Sequence, residues 1–114
     1  MTSMSKYRNK PCEIDGEKYR SIREAKRHQW LLMLQSSGQI AGLVREVQFE
    51  LAPGVRILGE SRKRPPLRYV ADFVYSDVQL GQIIVEDAKG VQTPAYRIKK
   101  HLMATVHGVH VQEA

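Results

Sequence analysis

The chain has one cysteine, one tryptophan and two phenylalanines among 114 residues. Cys12 has no second thiol to pair with, which excludes a cystine-stapled secreted scaffold and fits a reducing compartment. Long apolar runs are also missing. The longest, Trp30 to Leu34, is far below the roughly 18 residues of a membrane span. The opening MTSMSKYRNK has no apolar stretch of the signal-peptide kind. Neither secretion nor membrane insertion is expected, and the predicted location is cytoplasmic.

Acids are the minority charge, 12 Asp and Glu against 18 Lys and Arg, for a net charge of +6. Clustered cations bind phosphates with release of counterions, so an anionic partner is expected, nucleic acid before an acidic membrane surface. A hydrophobic fraction of 42% with 26% charged residues excludes long disorder as the main state, and a chain of this length buries a core without covalent staples. One domain is expected over residues 12–114, preceded by a flexible basic arm at 1–11 that carries Lys6, Arg8 and Lys10.

Local signals order the domain. Asp15-Gly16 between short extended flanks predicts a hairpin. Ser21 with Glu24 three positions on forms a capping box, and Ile22, Ala25 and Leu32 predict a helix that stops at Ser36-Ser37-Gly38. Val44 to Leu51 reads as a strand and Val55 to Leu58 as a further short one. Glu60 to Arg68, with two prolines and clustered charge, reads as an exposed basic loop. Tyr69 to Tyr75 and Gln82 to Ala88 predict an antiparallel pair. Thr93-Pro94 opens a second helix, with Ala95, Ile98, Leu102 and Val106 as its apolar stripe up to Gly108, and Val109 to Gln112 predicts a last strand. The order is that of a mixed α/β sandwich.

The chemistry lies in the antiparallel pair. A turn centred between Gln79 and Leu80 pairs residues whose numbers sum to 159, which sets Asp72 opposite Asp87, with Cβ atoms about 5 Å apart. Alternation puts Lys89 on the face of Asp87 and turns Glu86 away. Opposed carboxylates among apolar residues destabilise a sheet unless a cation compensates them. Two Asp, a main-chain carbonyl such as that of Ala88, and waters form the all-oxygen set that suits Mg²⁺. Lys89 is then placed to meet a nucleophilic water or a scissile phosphate. The other reading of these residues is solvated strand ends with an ordinary surface ion pair.

These residues also carry a resemblance. The PD-(D/E)XK nucleases run α-β-β-β-α-β, with an acid on the second strand, (D/E)-x-K on the third and often a Glu on the first helix. Asp72 in Val70-Ala71-Asp72-Phe73, then Asp87-Ala88-Lys89, and Glu24 resemble those elements. The run from Lys6-Tyr7-Arg8-Asn9-Lys10 through Phe49-Glu50-Leu51, Tyr69 to Phe73 and Val85 to Gly90 resembles small phage and prophage endonucleases related to archaeal-type Holliday junction resolvases. The resemblance implies a restriction-endonuclease-like αβββαβ core with a mixed central sheet flanked by helices. It also implies a Mg²⁺-dependent endodeoxyribonuclease, with Mn²⁺ able to substitute, acting on branched DNA in recombination or repair. Asp72 and Asp87 would hold metal, Glu24 would complete the shell, and Lys89 would serve the reaction. A homodimer in the cytoplasm of a bacterium or phage-infected host is implied as well.

Glu24 has a second assignment as the acceptor of the capping box, on the Ser21 amide. Gln92 and Tyr96 resemble a Gln-x-x-x-Tyr element that some superfamily members place near the scissile phosphate, and Thr93 brings a helix N-terminus beside it. Tyr96 reads equally well as a packing residue. Arg97, Lys99, Lys100 and His101, off the apolar stripe, and Arg62, Lys63, Arg64 and Arg68 in the basic loop are candidates for the DNA backbone. Cys12 and the four histidines fit no closed zinc site by spacing. Two other classes stay open: a non-catalytic DNA-binding module on a nuclease scaffold, and a phage structural or regulatory protein that binds another protein.

Overall fold

The computed structural model describes residues 10–89 and 91–114, so most of the N-terminal arm and Gly90 lie outside the described residues. A small hairpin comes first, β1 (Cys12–Ile14) against β2 (Glu17–Tyr19). Its Asp15-Gly16 turn takes both residues to positive φ, the conformation that this dipeptide tolerates. Helix α1 (Ile22–Ser36) follows, then β3 (Ile40–Ala52), β4 (Leu67–Asp77) and β5 (Gln82–Asp87), helix α2 (Pro94–His107) and β6 (Gln112–Glu113). The main sheet has the order β3-β4-β5-β6. Its first three strands are antiparallel, and β6 runs parallel to β5 after the α2 crossover. The fold is α/β, with the element order α-β-β-β-α-β after the hairpin.

The two helices lie on opposite faces of this sheet. Leu31 and Leu34 of α1 pack with Ile40, Phe73, Tyr75 and Ile84. Tyr96 and Met103 of α2 pack with Leu51, Tyr69, Ala71, Val85 and Val111. Tyr69 and Ala71 share a cluster with Val74 and Val85 rather than with Phe73, so strict alternation breaks next to Asp72, and Ala71, Asp72 and Phe73 are all buried. The break coincides with a distortion of the neighbouring strand. Arg45 pairs with Phe73 and Val47 with Ala71, while Glu46 between them has φ +55°, a conformation that residues other than glycine rarely take.

Several boundaries and faces differ from the sequence expectation. β3 starts four residues earlier than Val44, since Gly42 at φ +67° accommodates an irregularity between Ala41 and Val44. Val55 to Leu58 is not a strand: its one ladder contact is an isolated bridge from Val55 to Arg64. The last strand is Gln112–Glu113. In α1 the buried positions are Glu24, Ala25, His28 and Leu31, with Ile22 and Leu32 exposed. In α2 they are Tyr96 and Met103, with half-buried Lys99 and Lys100 between them and Ile98 and Val106 exposed. Polar side chains that find partners take inward positions which an apolar count assigns to aliphatic ones.

Candidate acidic site at the end of the central strands

The β4–β5 turn fixes the site. Asp77 Oδ1 accepts from the Leu80 amide at 2.9 Å and Asp77 O from the Gly81 amide at 2.8 Å. The ladder then runs from Asp77 with Gln82 to Phe73 with Glu86, every pair summing to 159. The next positions are Asp72 and Asp87, and there the backbone ladder gives way to a side-chain contact. The Ala88 amide donates to Asp72 Oδ2 at 2.9 Å, so β5 is pinned to β4 by the carboxylate itself.

Both acids are buried, and burial together with the neighbouring Asp87 pushes the Asp72 carboxyl up to about 7. Asp87 Oδ2 accepts from the Tyr69 hydroxyl, whereas Asp87 Oδ1 is buried with no hydrogen-bond partner. Burial and the Asp87 contact raise the Tyr69 hydroxyl far above its ordinary range, which keeps it a donor at physiological pH. Opposing charge is sparse. The Arg20 guanidinium reaches Asp72 Oδ1 at 3.5 Å and Glu46 at 3.8 Å, from a side chain that is two-thirds exposed.

Lys89 follows the end of β5, half-buried, with its Nζ 5.1 Å from the centre of the Tyr96 ring, in cation–π range. No carboxylate lies within ion-pair distance of it among the described residues. Its ammonium is thus held over an aromatic ring without being neutralised by a carboxylate.

Glu24 completes a cap, displaced by one residue from expectation. Ser21 Oγ accepts from the Glu24 amide at 3.1 Å, and Glu24 Oε1 accepts from the amide of Arg20, not of Ser21, at 3.0 Å. Glu24 Oε2 is buried without a hydrogen bond, with Arg45 Nη2 at 3.6 Å. Glu24 is connected to Asp72 through Arg20, whose amide it holds and whose guanidinium meets Asp72. Among the described residues no three Asp, Glu, His or Cys side chains gather closely enough to share one ion. The acidic pair alone forms the close cluster.

The residues expected near a phosphate converge on an internal carboxylate. Glu113 of β6 accepts from Gln92 Nε2 at 3.0 Å, the Tyr96 hydroxyl at 2.7 Å and Lys100 Nζ at 2.6 Å. The Lys100 and Tyr96 contacts hold the Glu113 carboxyl below its usual range. Thr93 caps α2, its Oγ1 accepting from the Tyr96 amide at 3.1 Å. Arg97 is exposed and Lys99 half-buried. Arg62, Lys63, Arg64 and Arg68 are exposed, and Arg64 forks onto Glu60 at 2.7 and 2.9 Å.

Glu86, beside Asp87 in sequence, faces α1. It accepts from the Tyr75 hydroxyl at 2.6 Å and from the Arg27 fork at 2.5 and 2.8 Å. Arg20, Arg27, Glu46 and Glu113 were not singled out by sequence reasoning. Position next to the capping box marks Arg20 as a neighbour of Glu24, while the other three have no local signal.

A family profile described as "Protein of unknown function (DUF1064)" matches residues 4–111. The chain belongs to that family. No curated protein and no solved structure matches the chain. Membership in the DUF1064 family covers the hairpin, both helices and the acidic pair. No helix among the described residues is long and apolar enough to cross a membrane.

Proposed function

We propose that the chain is a metal-dependent endodeoxyribonuclease of the PD-(D/E)XK type that cuts branched DNA such as a four-way junction, working as a homodimer. One observation carries the reading: the antiparallel register sets Asp72 and Asp87 side by side in a buried place short of positive charge. Asp87 Oδ1 has no partner, and Asp72 is driven toward its neutral form by burial and then by its neighbour. Two buried carboxylates with one exposed arginine between them and the solvent fit a hard divalent cation.

Asp72 and Asp87 would hold Mg²⁺ or Mn²⁺, with the Ala88 carbonyl as a further oxygen and Glu24, too far to share the ion directly, joining through water. The bound ion supplies Lewis acidity, stabilising charge on phosphate oxygens and making water easier to deprotonate. Tyr69 fixes the Asp87 carboxylate through Oδ2 and leaves Oδ1 for ligation. Lys89, unneutralised at the rim, orients the attacking water and stabilises developing charge on the phosphate. Gln92, Tyr96 and Lys100 offer phosphate-directed donors once they are released from Glu113. Arg62, Lys63, Arg64, Arg68, Arg97 and Lys99 hold the DNA backbone, a sequence-independent grip.

The test incubates the purified chain with four-way junction, flap, linear duplex and RNA substrates in Mg²⁺, Mn²⁺, Ca²⁺ or EDTA, alongside Asp87→Asn. Cutting confined to DNA and to Mg²⁺ or Mn²⁺, and lost in Asp87→Asn, is the expected result. Metal-independent cutting, or full activity in the variant, overturns the mechanism. The engagement of Glu24 Oε1 by the Arg20 amide favours one competitor, a DNA-binding module without turnover. That reading predicts salt-sensitive binding with no cleavage in any ion.

A further inference from the structure

The segment joining β3 to β4 is an ordered basic arm with an apolar end. Val55 and Arg64 exchange both backbone hydrogen bonds, at 3.0 and 2.6 Å. Beyond that bridge the Glu60 amide donates to Ile57 O at 3.0 Å, and Arg56 Nη1 donates to Ser61 O at 3.0 Å. Gly59, at φ +90°, turns the chain. The arm so held leaves Leu58 100% exposed, with Val55 and Ile57 also exposed beside it. A leucine held at the tip of a hydrogen-bonded turn, wholly in water, has its apolar surface available to a partner.

Charge identifies that partner. Glu60 is the one acid between Pro53 and Arg68, and it is already taken by Arg64. Arg56, Arg62, Lys63 and Arg68 have no carboxylate partner among the described residues. The cations continue from the arm into β4 through Arg68, on the strand that also carries Asp72. A basic loop that runs into the strand carrying Asp72 fits a linear polyanion.

We propose that this arm is a second DNA-gripping element, its cations on the phosphates of a duplex and Leu58 inserted from the minor groove as a wedge at a deformable base step. Apolar side chains used this way unstack a step and bend the duplex. That the gripped duplex runs on toward the acidic pair rests on the nuclease reading, whereas the grip itself does not.

The experiment measures binding of the full chain in EDTA, where cutting is absent, to duplexes and junctions carrying 2-aminopurine at successive positions. Leu58→Asp is expected to weaken binding at least tenfold, with the melting temperature unchanged. Leu58→Ala is expected to abolish the 2-aminopurine fluorescence rise while the salt slope stays the same. Arg62→Ala with Lys63→Ala is expected to lower that slope by about two. Wild-type affinity and fluorescence in the Leu58 variants overturn the proposal. So does arm-dependent binding to phosphatidylserine vesicles without arm-dependent binding to DNA. Cleavage in Mg²⁺ is read separately. If the chain cuts DNA but its Leu58 variants bind normally, the wedge falls and the nuclease stands; arm-dependent binding with no cutting in any ion has the opposite meaning.

Discussion

The Ala88 amide donates to Asp72 Oδ2 at 2.9 Å, so one acid of the pair is a strut for the strand that carries the other. The same contact makes Asp72 sensitive to its protonation state. Its carboxyl is held up at about 7 by burial and by Asp87, against 3.8 ordinarily. A raised acid favours the folded state most at pH values below its unfolded value, and that contribution is lost as pH rises through the folded one. In EDTA, Asp72→Asn should therefore gain a few kcal/mol of stability relative to the parent between about pH 4 and pH 7. Urea unfolding of both proteins across that range checks it, and parallel pH profiles would contradict it.

Metal should reverse that penalty. Millimolar Mg²⁺ is expected to raise the melting temperature of the parent at pH 8 by several degrees, in line with linkage of binding to folding. The rise should shrink at pH 5, where Asp72 holds a proton, and vanish in Asp87→Asn. A thermal-shift titration with Mg²⁺ and Ca²⁺ reads all three.

Glu24 can be assigned by comparing two substitutions. Glu24→Ala removes the acceptor of the Arg20 amide and should cost about 1 kcal/mol, as a lost cap does. Glu24→Gln keeps an oxygen for that amide, and its stability should stay within about 0.5 kcal/mol of the parent. Cleavage in Glu24→Gln then reports the charge alone: a fall of tenfold or more marks a metal-site role, and parental activity marks a cap.

Arg27→Met should be the most damaging of the single changes. It leaves Glu86 fully buried with only the Tyr75 hydroxyl as partner, and breaking a buried pair from one side costs about 3–5 kcal/mol. Adding Glu86→Gln should restore most of the loss, because the uncompensated charge is removed. Chemical denaturation of the two single variants and the double variant closes the cycle.

Gly54→Ala should open the basic arm and leave the body intact. A methyl group there comes 2.9 Å from the Arg64 carbonyl oxygen, so the two sides must part. Hydrogen exchange is expected to show lost protection at the Val55 and Arg64 amides, with protection in β4 and β5 unchanged.

The register of the acidic pair was legible because it depends on local chemistry, a short turn that Asp77 and Gly81 close, and on the invariance of pairing along a ladder. Helix ends were legible for the same reason, through Ser21, Thr93 and Gly108. The buried faces were misread where partners come from afar. His28 lies inward because Tyr19 supplies a hydroxyl 2.6 Å from Nδ1 and Phe73 a ring to stack on. Lys100 lies along the inner side of α2 because Glu113 receives it. Nothing local signals that Glu46 bends to positive φ or that Glu113 draws three donors to itself, since both depend on strands that meet only after folding.

The consecutive acids Glu86 and Asp87 carry a consequence of their own. A slip of β5 by one position would still offer a carboxylate to each face of the sheet, so charge alone would not reject the error. Arg27 and Tyr75 do reject it, because their donors are spaced for the longer side chain and close on Glu86 from the α1 side. The ion pair behind the sheet thus acts as a key with one matching lock, and through it the first helix proofreads the alignment of the chemistry on the other side.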